Sequence, residues 1–343
     1  MRFPEPMRSQ PKVPPRVVAI TGASAGVGRA AALAFSARGD RVALLARGTE
    51  GLEGARREIE SLGGTALAIP VDVADGAAVE AAAARIEAEL GPIDVWTNNA
   101  MVSVFSPFKE ITIEEFRRVT EVTYLGQVHG TMAALKRMLP RDRGTIVQVG
   151  SALAYRSIPL QSAYCGAKAA IRGFTDSIRC ELGHDRSHVR ITMVQMPALN
   201  TPQFGWTRNR MLHEAQPVPP IFQPEVAARA IVWASLHARR ELYVAWPTVK
   251  AIVFGSKLAP AIGDRVLGRT GYEDQQTSEP RDRDAPDNLF APVRADRGAH
   301  GAFDGRAKSR SPELWATTHP AWLLVATAAV ASGVVAIAAL LVH

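Results

Sequence analysis

The chain has 343 residues, 47% of them hydrophobic, enough to bury a large core in one large domain or two small ones. Its formal net charge of +7 comes from 40 lysines and arginines mixed with 33 acids, the pattern of solvated faces rather than of a basic groove, so no nucleic-acid partner is expected. Two cysteines, Cys165 and Cys180, exclude a disulfide framework and have no partners at metal-ligand spacing, so a reducing cytoplasmic setting and no metal are expected.

Residues 1–15 are polar and proline-rich, lack the apolar run of a signal peptide, and are expected to be a disordered arm. From Arg16 onward, short β-branched runs alternate with alanine-rich stretches of helical period. The strand candidates are 16–21, 41–46, 65–73, 93–99, 144–150, 189–195 and 241–246. Helical patterns between them include one that ends at Gly39, one that runs from Thr112 to a stop at Pro140, and one that opens at Pro224. This alternation predicts a single α/β domain over 16–245: a Rossmann-type, doubly wound, parallel seven-stranded sheet with helices on both faces.

The proline- and aromatic-rich stretch 196–223 breaks the rhythm, and Phe204, Trp206 and Phe222 make it either a lid over an apolar ligand or an ordinary surface loop. Residues 246–270 are apolar but interrupted by Gly255 and Pro260; they fit a segment lying on a membrane surface and equally a helix pair packed on the domain. Residues 271–312 are crowded with Asp, Arg, Pro and Gly and predict a flexible linker. Residues 321–342 carry no charge, and 22 residues make a helix of roughly 33 Å against a hydrocarbon core of about 30 Å, so a C-terminal transmembrane helix is expected. Trp322 suits an interfacial anchor, and Arg306, Lys308 and Arg310 before the span put the catalytic domain in the cytoplasm, on the inner membrane face.

The first strand runs directly into "TGASAGVG", with Gly22, Gly26 and Gly28 ahead of a helix. Glycines at this spacing permit a tight turn and close approach of backbone to a pyrophosphate, while the helix N-terminus presents unpaired N–H groups to the anion. At the end of the second strand, where an acid would bond the ribose hydroxyls of NAD, the chain has Ala46 and Arg47. A cation there can pair with the 2′-phosphate of NADP, although Arg47 also fits a solvated loop. Asp72 ends the third strand at the sheet edge where ligands bind, on the adenine side.

Together, "TGASAGVG" at 21–28, "DV" at 72–73, "NNA" at 98–100, Ser151 and "YCGAK" at 164–168 resemble the single-domain short-chain dehydrogenase/reductase family over residues 16–245. The resemblance implies Tyr164 as the group exchanging a proton with the substrate oxygen, Lys168 as the holder of the nicotinamide ribose that lowers the tyrosine pKa, and Ser151 as the residue orienting the substrate oxygen. It implies a cofactor cradle of Gly22, Ser24, Gly26, Val27, Gly28, Arg47, Asp72, Val73, Asn99, Ala100, Lys168 and Pro197. The spacing agrees: four positions return to one helix face, so Tyr164 and Lys168 can enter one site, and a nearby ammonium favours a phenolate.

Two departures from the family pattern stand out. Met101 replaces the glycine of the family's "NNAG", and Thr123 replaces the asparagine that holds a water in the proton relay. Threonine lacks the two donors of the amide. Pro197–Ala198 likewise replaces the family's "PG". The expected activity is an NADP(H)-dependent oxidoreductase interconverting a carbonyl and a secondary alcohol on a lipophilic substrate, since some membrane-bound members take steroids, retinoids or similar molecules. The alternative is a membrane-tethered NADP-binding protein with weak or lost turnover. Homo-oligomers are common in the family, yet no residue here fixes a stoichiometry.

Overall fold

A computed structural model describes residues 15–245, 255 and 258–319. Strands β1 (Val17–Thr21), β2 (Arg41–Ala46), β3 (Thr65–Pro70) and β4 (Ile93–Asn98) alternate with helices α1 (Gly26–Ser36), α2 (Thr49–Ser61) and α3 (Gly76–Leu90). A two-residue β5 (Val104–Phe105) precedes α4 (Ile113–Val119), a π-helical turn Thr120–Leu125 and α5 (Gly126–Met138), so the single helix expected from Thr112 to Pro140 is three pieces. There follow β6 (Thr145–Val149), α6 (Ser162–His184) and β7 (Arg190–Gln195), then the short strands β8 (Ala198–Leu199), β9 (Arg208–Asn209), β10 (His213–Ala215) and β11 (Ile221–Phe222). Helix α7 (Pro224–Leu236) leads to β12 (Glu241–Tyr243), α8 (Pro260–Thr270), β13 (Gln276–Pro280) and α9 (Pro312–Thr318).

Seven strands form one sheet in the order β12-β7-β6-β4-β1-β2-β3, every neighbouring pair parallel. Both faces are covered, so the central strands read as continuous apolar runs; all five residues of β1 are buried. On one face α1, α2 and α7 pack through Ala30, Ala31, Phe35, Ile59, Ala227 and Ile231. On the other, α3, α5 and α6 contribute Val79, Ile86, Ala133, Met138 and Leu182. The strand order reverses between β1 and β4, which opens a crevice at their carboxyl ends.

Two expectations are corrected here. Among the described residues no helix is long and apolar enough to cross a membrane, so the transmembrane helix is withdrawn from the fold, and with it the single-pass membrane localisation. The span at 321–342, the arm over 1–14, and residues 246–254, 256 and 257 of the 246–270 segment lie outside the described residues.

The second correction concerns 271–312, expected as a linker. This segment crosses the carboxyl edge of the sheet. β13 pairs antiparallel with β10, Leu289 is fully buried, and the Lys308 N–H donates to the Ile221 carbonyl at 2.9 Å. Its composition is polar because it is held by hydrogen bonds and guanidinium contacts rather than by apolar burial, a mode that hydropathy does not register.

Such anchoring predicts slow hydrogen exchange. The Asn288, Phe303 and Lys308 amides, which donate to the Trp206 carbonyl, Asn200 Oδ1 and the Ile221 carbonyl, should be protected on the order of 100-fold over free chain. Exchange at the unprotected rate throughout 285–310 would restore the linker.

Candidate active site

The crevice is shaped first by lack of space. Gly22 and Gly26 adopt φ of +68° and +55°, in the left-handed region that glycine enters without strain. A Cβ on Gly28 would lie 2.1 Å from the Gly22 carbonyl oxygen, and one on Gly22 would lie 2.8 Å from Ala100 Cα. Asn99 locks this approach, its Nδ2 donating to the carbonyls of Thr21 (2.9 Å) and Gly22 (3.2 Å). The Thr21 hydroxyl in return accepts from the N–H groups of Asn99 and Ala100. Helix α1 starts at Gly26 without a side-chain cap; its first N–H donates to the Gly298 carbonyl at 3.0 Å, and its N-terminal residues Gly26 and Val27 line the crevice, where a helix N-terminus favours an anion.

From this loop a cavity of about 800 Å3 runs to Ser151, Tyr164 and Lys168. Gly22, Ser24, Gly26, Val27, Arg47, Asp72, Val73, Asn99, Ala100 and Pro197 all line it, so the structure brings together all but one of the residues expected to hold a dinucleotide. Gly28 lies beneath, where it lets α1 seat on β1. A cavity of this size, running from the glycine loop to these three side chains, fits an extended nicotinamide dinucleotide.

Two of these residues have partners that the sequence did not disclose. The Arg47 guanidinium donates to the carbonyls of Leu289 and Phe290 at 3.2 Å each, and also to that of Asn288. Burial, and then the Arg118 cation, push its pKa below the ordinary arginine value. Asp72 forms an ion pair with Arg118 and accepts from the Ala74 N–H at 3.0 Å. Burial opposes ionisation, but these contacts prevail and hold its carboxyl below the usual range.

At the other end, Ser151 ends the loop after β6, with its hydroxyl accepting from the Leu153 N–H at 3.1 Å. Tyr164 and Lys168 stand one turn apart on α6, with Lys168 Nζ 5.5 Å from the centre of the tyrosine ring. Lys168 is 2% exposed, and its Nζ donates to the Val149 carbonyl at 2.7 Å. Burial raises the Tyr164 pKa above the ordinary phenol value, against a smaller opposing pull from the Ser151 hydroxyl. Burial also draws Lys168 down to about 7. Burial thus works against the phenolate at Tyr164 and against the ammonium at Lys168.

Thr123 is fully buried in the π-helical turn; its hydroxyl donates to the Val102 carbonyl at 2.8 Å and accepts from the Val102 N–H at 3.1 Å. It pins the strand-to-loop backbone beside Met101. The residue that sequence reasoning missed is Gln127, four positions on. Its Nε2 donates at 3.2 Å to the same Val149 carbonyl that accepts from Lys168. Its Oε1 is buried without a partner among the described residues. Four-residue spacing from Thr123 was the available signal, but a π turn between them alters that register.

The low Lys168 pKa has a stability signature. Between about 7, its folded value, and the ordinary 10.5, the unfolded chain binds a proton that the folded chain does not. This group therefore costs stability fully below pH 7, and the cost is relieved as pH rises towards 10.5, by at most about 1.4 kcal/mol per pH unit. Urea midpoints at pH 6.5, 8 and 9 should rise more steeply for the wild type than for Lys168→Met, and equal slopes would contradict a depressed lysine.

Residues 16–211 match the short chain dehydrogenase family. Over 334 residues, 96% of this chain and 91% of the relative, the chain is 32% identical to the oxidoreductase YxnA of Bacillus subtilis (strain 168). Among solved structures it is similar to an alcohol dehydrogenase of the archaeon Thermococcus sibiricus complexed with 5-hydroxy-NADP, at a TM-score of 0.58 and 26% identity over 66% of this chain and 95% of that one. A metagenomic short-chain oxidoreductase in complex with NADP gives a TM-score of 0.56 at 26% identity, covering 68% and 98% of the two chains.

Proposed function

Because the chain belongs to the short-chain dehydrogenase/reductase family and is thereby a nicotinamide-dependent oxidoreductase, we propose that it uses NADP(H) to interconvert a carbonyl and a secondary alcohol on a lipophilic substrate. The observation that carries this reading is the convergence of Ser151, Tyr164 and Lys168 on the wall of a cavity continuous with the glycine loop. When bound, the cofactor supplies or accepts a hydride at the nicotinamide ring.

The chain's own residues do the rest. Ser151 orients the substrate oxygen, and the Tyr164 phenol hands it a proton in the reductive direction. Lys168, held by the Val149 carbonyl, fixes the ribose end of the cofactor and stabilises the charge left on the tyrosine. The absence of an acid at the end of β2, the Arg47 cation there, and NADP in the solved relatives support NADP over NAD. A lipophilic substrate is supported by Met101, Leu153, Phe204, Trp206, Ile262 and Val266, which line the substrate end of the cavity. A binding protein without turnover has no need of the serine, tyrosine and lysine together.

Replacing Tyr164 by Phe should reduce turnover of lipophilic ketones by at least about 100-fold while NADPH binding, followed by its fluorescence, persists. Retained turnover would remove Tyr164 as the acid. Arg47→Ala should weaken NADPH about tenfold, the worth of a charged hydrogen bond, and NADH far less. Equal losses for the two cofactors would withdraw the 2′-phosphate role.

A further inference from the structure

The segment that departs furthest from its expected character is 285–304, and it lies on the cavity described above. Asn288, Pro292, Val293 and Ala295 share the cavity wall with Gly22, Gly26, Arg47 and Asp72. The Gly298 carbonyl accepts from the Gly26 N–H of the glycine loop at 3.0 Å. On the opposite side, the Asn288, Leu289 and Phe290 carbonyls hold Arg47, and Arg118 Nε donates to the Leu289 carbonyl at 3.2 Å. The segment thus spans the crevice from the loop after β1 to the turns after β2 and β3, over the end that would take the adenosine half of a dinucleotide.

What holds it down is divided unevenly. Leu289 is its one fully buried apolar anchor among the described residues, packed in the cluster that includes Val71 and Val73. The remaining bonds are to backbone carbonyls or are ion pairs with an exposed partner; Asp296, which pairs with Arg29, is 37% exposed, and such pairs contribute little. At its two ends the chain is fastened to the domain by other bonds. The Arg208–Asp287 ion pair at 2.8 Å and the Asn288 N–H on the Trp206 carbonyl hold the first end, and the Phe303 N–H on Asn200 holds the second. A short stretch with firm ends, one apolar anchor and polar bonds across an opening can lift without unfolding the sheet.

We propose that residues 288–301 are a strap that closes the adenosine end of the dinucleotide site and has to lift for the cofactor to enter or leave. The proposal rests on the nicotinamide reading above and adds to it an element outside residues 16–211. Because the strap bridges both walls of the crevice, a dinucleotide cannot pass on that side while the Gly26, Arg47 and Leu289 contacts are all in place. Exchange of the cofactor then follows the opening of the strap, and a closed strap lengthens the residence of bound dinucleotide.

The contact between Gly48 and Pro292 allows a direct test. Gly48 has φ of −81°, open to any residue, and a Cβ built there lies 3.3 Å from Pro292 Cβ, close to the span of a disulfide. In a Cys180→Ser background, which removes the exposed native thiol, the pair Gly48→Cys and Pro292→Cys is oxidised and the bridge verified by mass and thiol count. NADPH uptake and release are followed by fluorescence in a stopped-flow instrument. Oxidation should slow both rates at least about tenfold relative to the same protein after reduction. Leu289→Ala, which loosens the anchor, should speed NADPH release several-fold. A bridged protein exchanging NADPH as fast as its reduced form, or a Leu289→Ala variant releasing it at the wild-type rate, would overturn the strap. Binding of NADPH to the reduced protein reads the cofactor assignment separately, since the strap is read from the ratio of rates.

Discussion

The site depends on one steric constraint: the backbone of the loop after β1 has to pass within touching distance of the turn after β4. No side chain fits between Gly28 and the Gly22 carbonyl, or between Gly22 and Ala100. That closeness lets Asn99 bond two carbonyls of the loop while Thr21 receives two N–H groups from the turn. The reversal of strand order between β1 and β4 becomes a rigid crevice rather than a gap between strands, and the start of α1 is aimed into it. A methyl group at Gly28 would push the helix off the strand and lose the anion site together with the packing.

Behind the catalytic wall lies a second constraint, a buried polar chain. Trp96 Nε1 donates to Asn98 Oδ1, Asn98 Nδ2 donates to Thr131 and Gln148, and Thr131 Oγ1 donates to the Gln127 carbonyl. Gln127 reaches the Val149 carbonyl, and Lys168 closes on that same atom. Every link is buried, where an unmet polar group costs more than in water, so the arrangement fixes the lysine's position more tightly than packing alone. Gly130 makes room for it, since a Cβ there would lie 2.1 Å from Asn98 Oδ1. The lysine is thus held in a dry place that disfavours its charge, the physical source of its lowered pKa.

The sheet and the site were legible in the sequence for different reasons. Strands β1, β2, β4, β6 and β7 were visible because a parallel sheet covered on both faces needs uninterrupted apolar runs, which few other elements produce. Ser151, Tyr164, Lys168 and the glycines were visible because their spacings are fixed by the turns that carry them. The partners of Arg47 and Asp72 were not, because those of Arg47 come from 241 to 243 residues away in the strap and that of Asp72, Arg118, from 46 residues away. Nor was the order of 271–312, whose weak hydropathy signals disorder only when no cations and carbonyls lie opposite. The break of the long helix at Thr120–Leu125 was hidden because a π turn leaves helical periodicity nearly intact.

The electrostatics of the wall give the chemistry a preferred starting state. Burial pushes the Tyr164 phenol up and the Lys168 ammonium down, so both changes favour the uncharged pair over a phenolate and an ammonium. A phenol that keeps its proton is suited to deliver it to a carbonyl oxygen that gains electron density, whereas oxidation of an alcohol requires the phenolate first. A cationic group beside the tyrosine would shift this balance towards the phenolate, and Lys168, one helical turn away, is itself drawn down to about 7 by burial. Thr123 is committed on both sides to Val102, and the buried amide that shares the lysine's carbonyl is that of Gln127, whose Oε1 has no partner among the described residues.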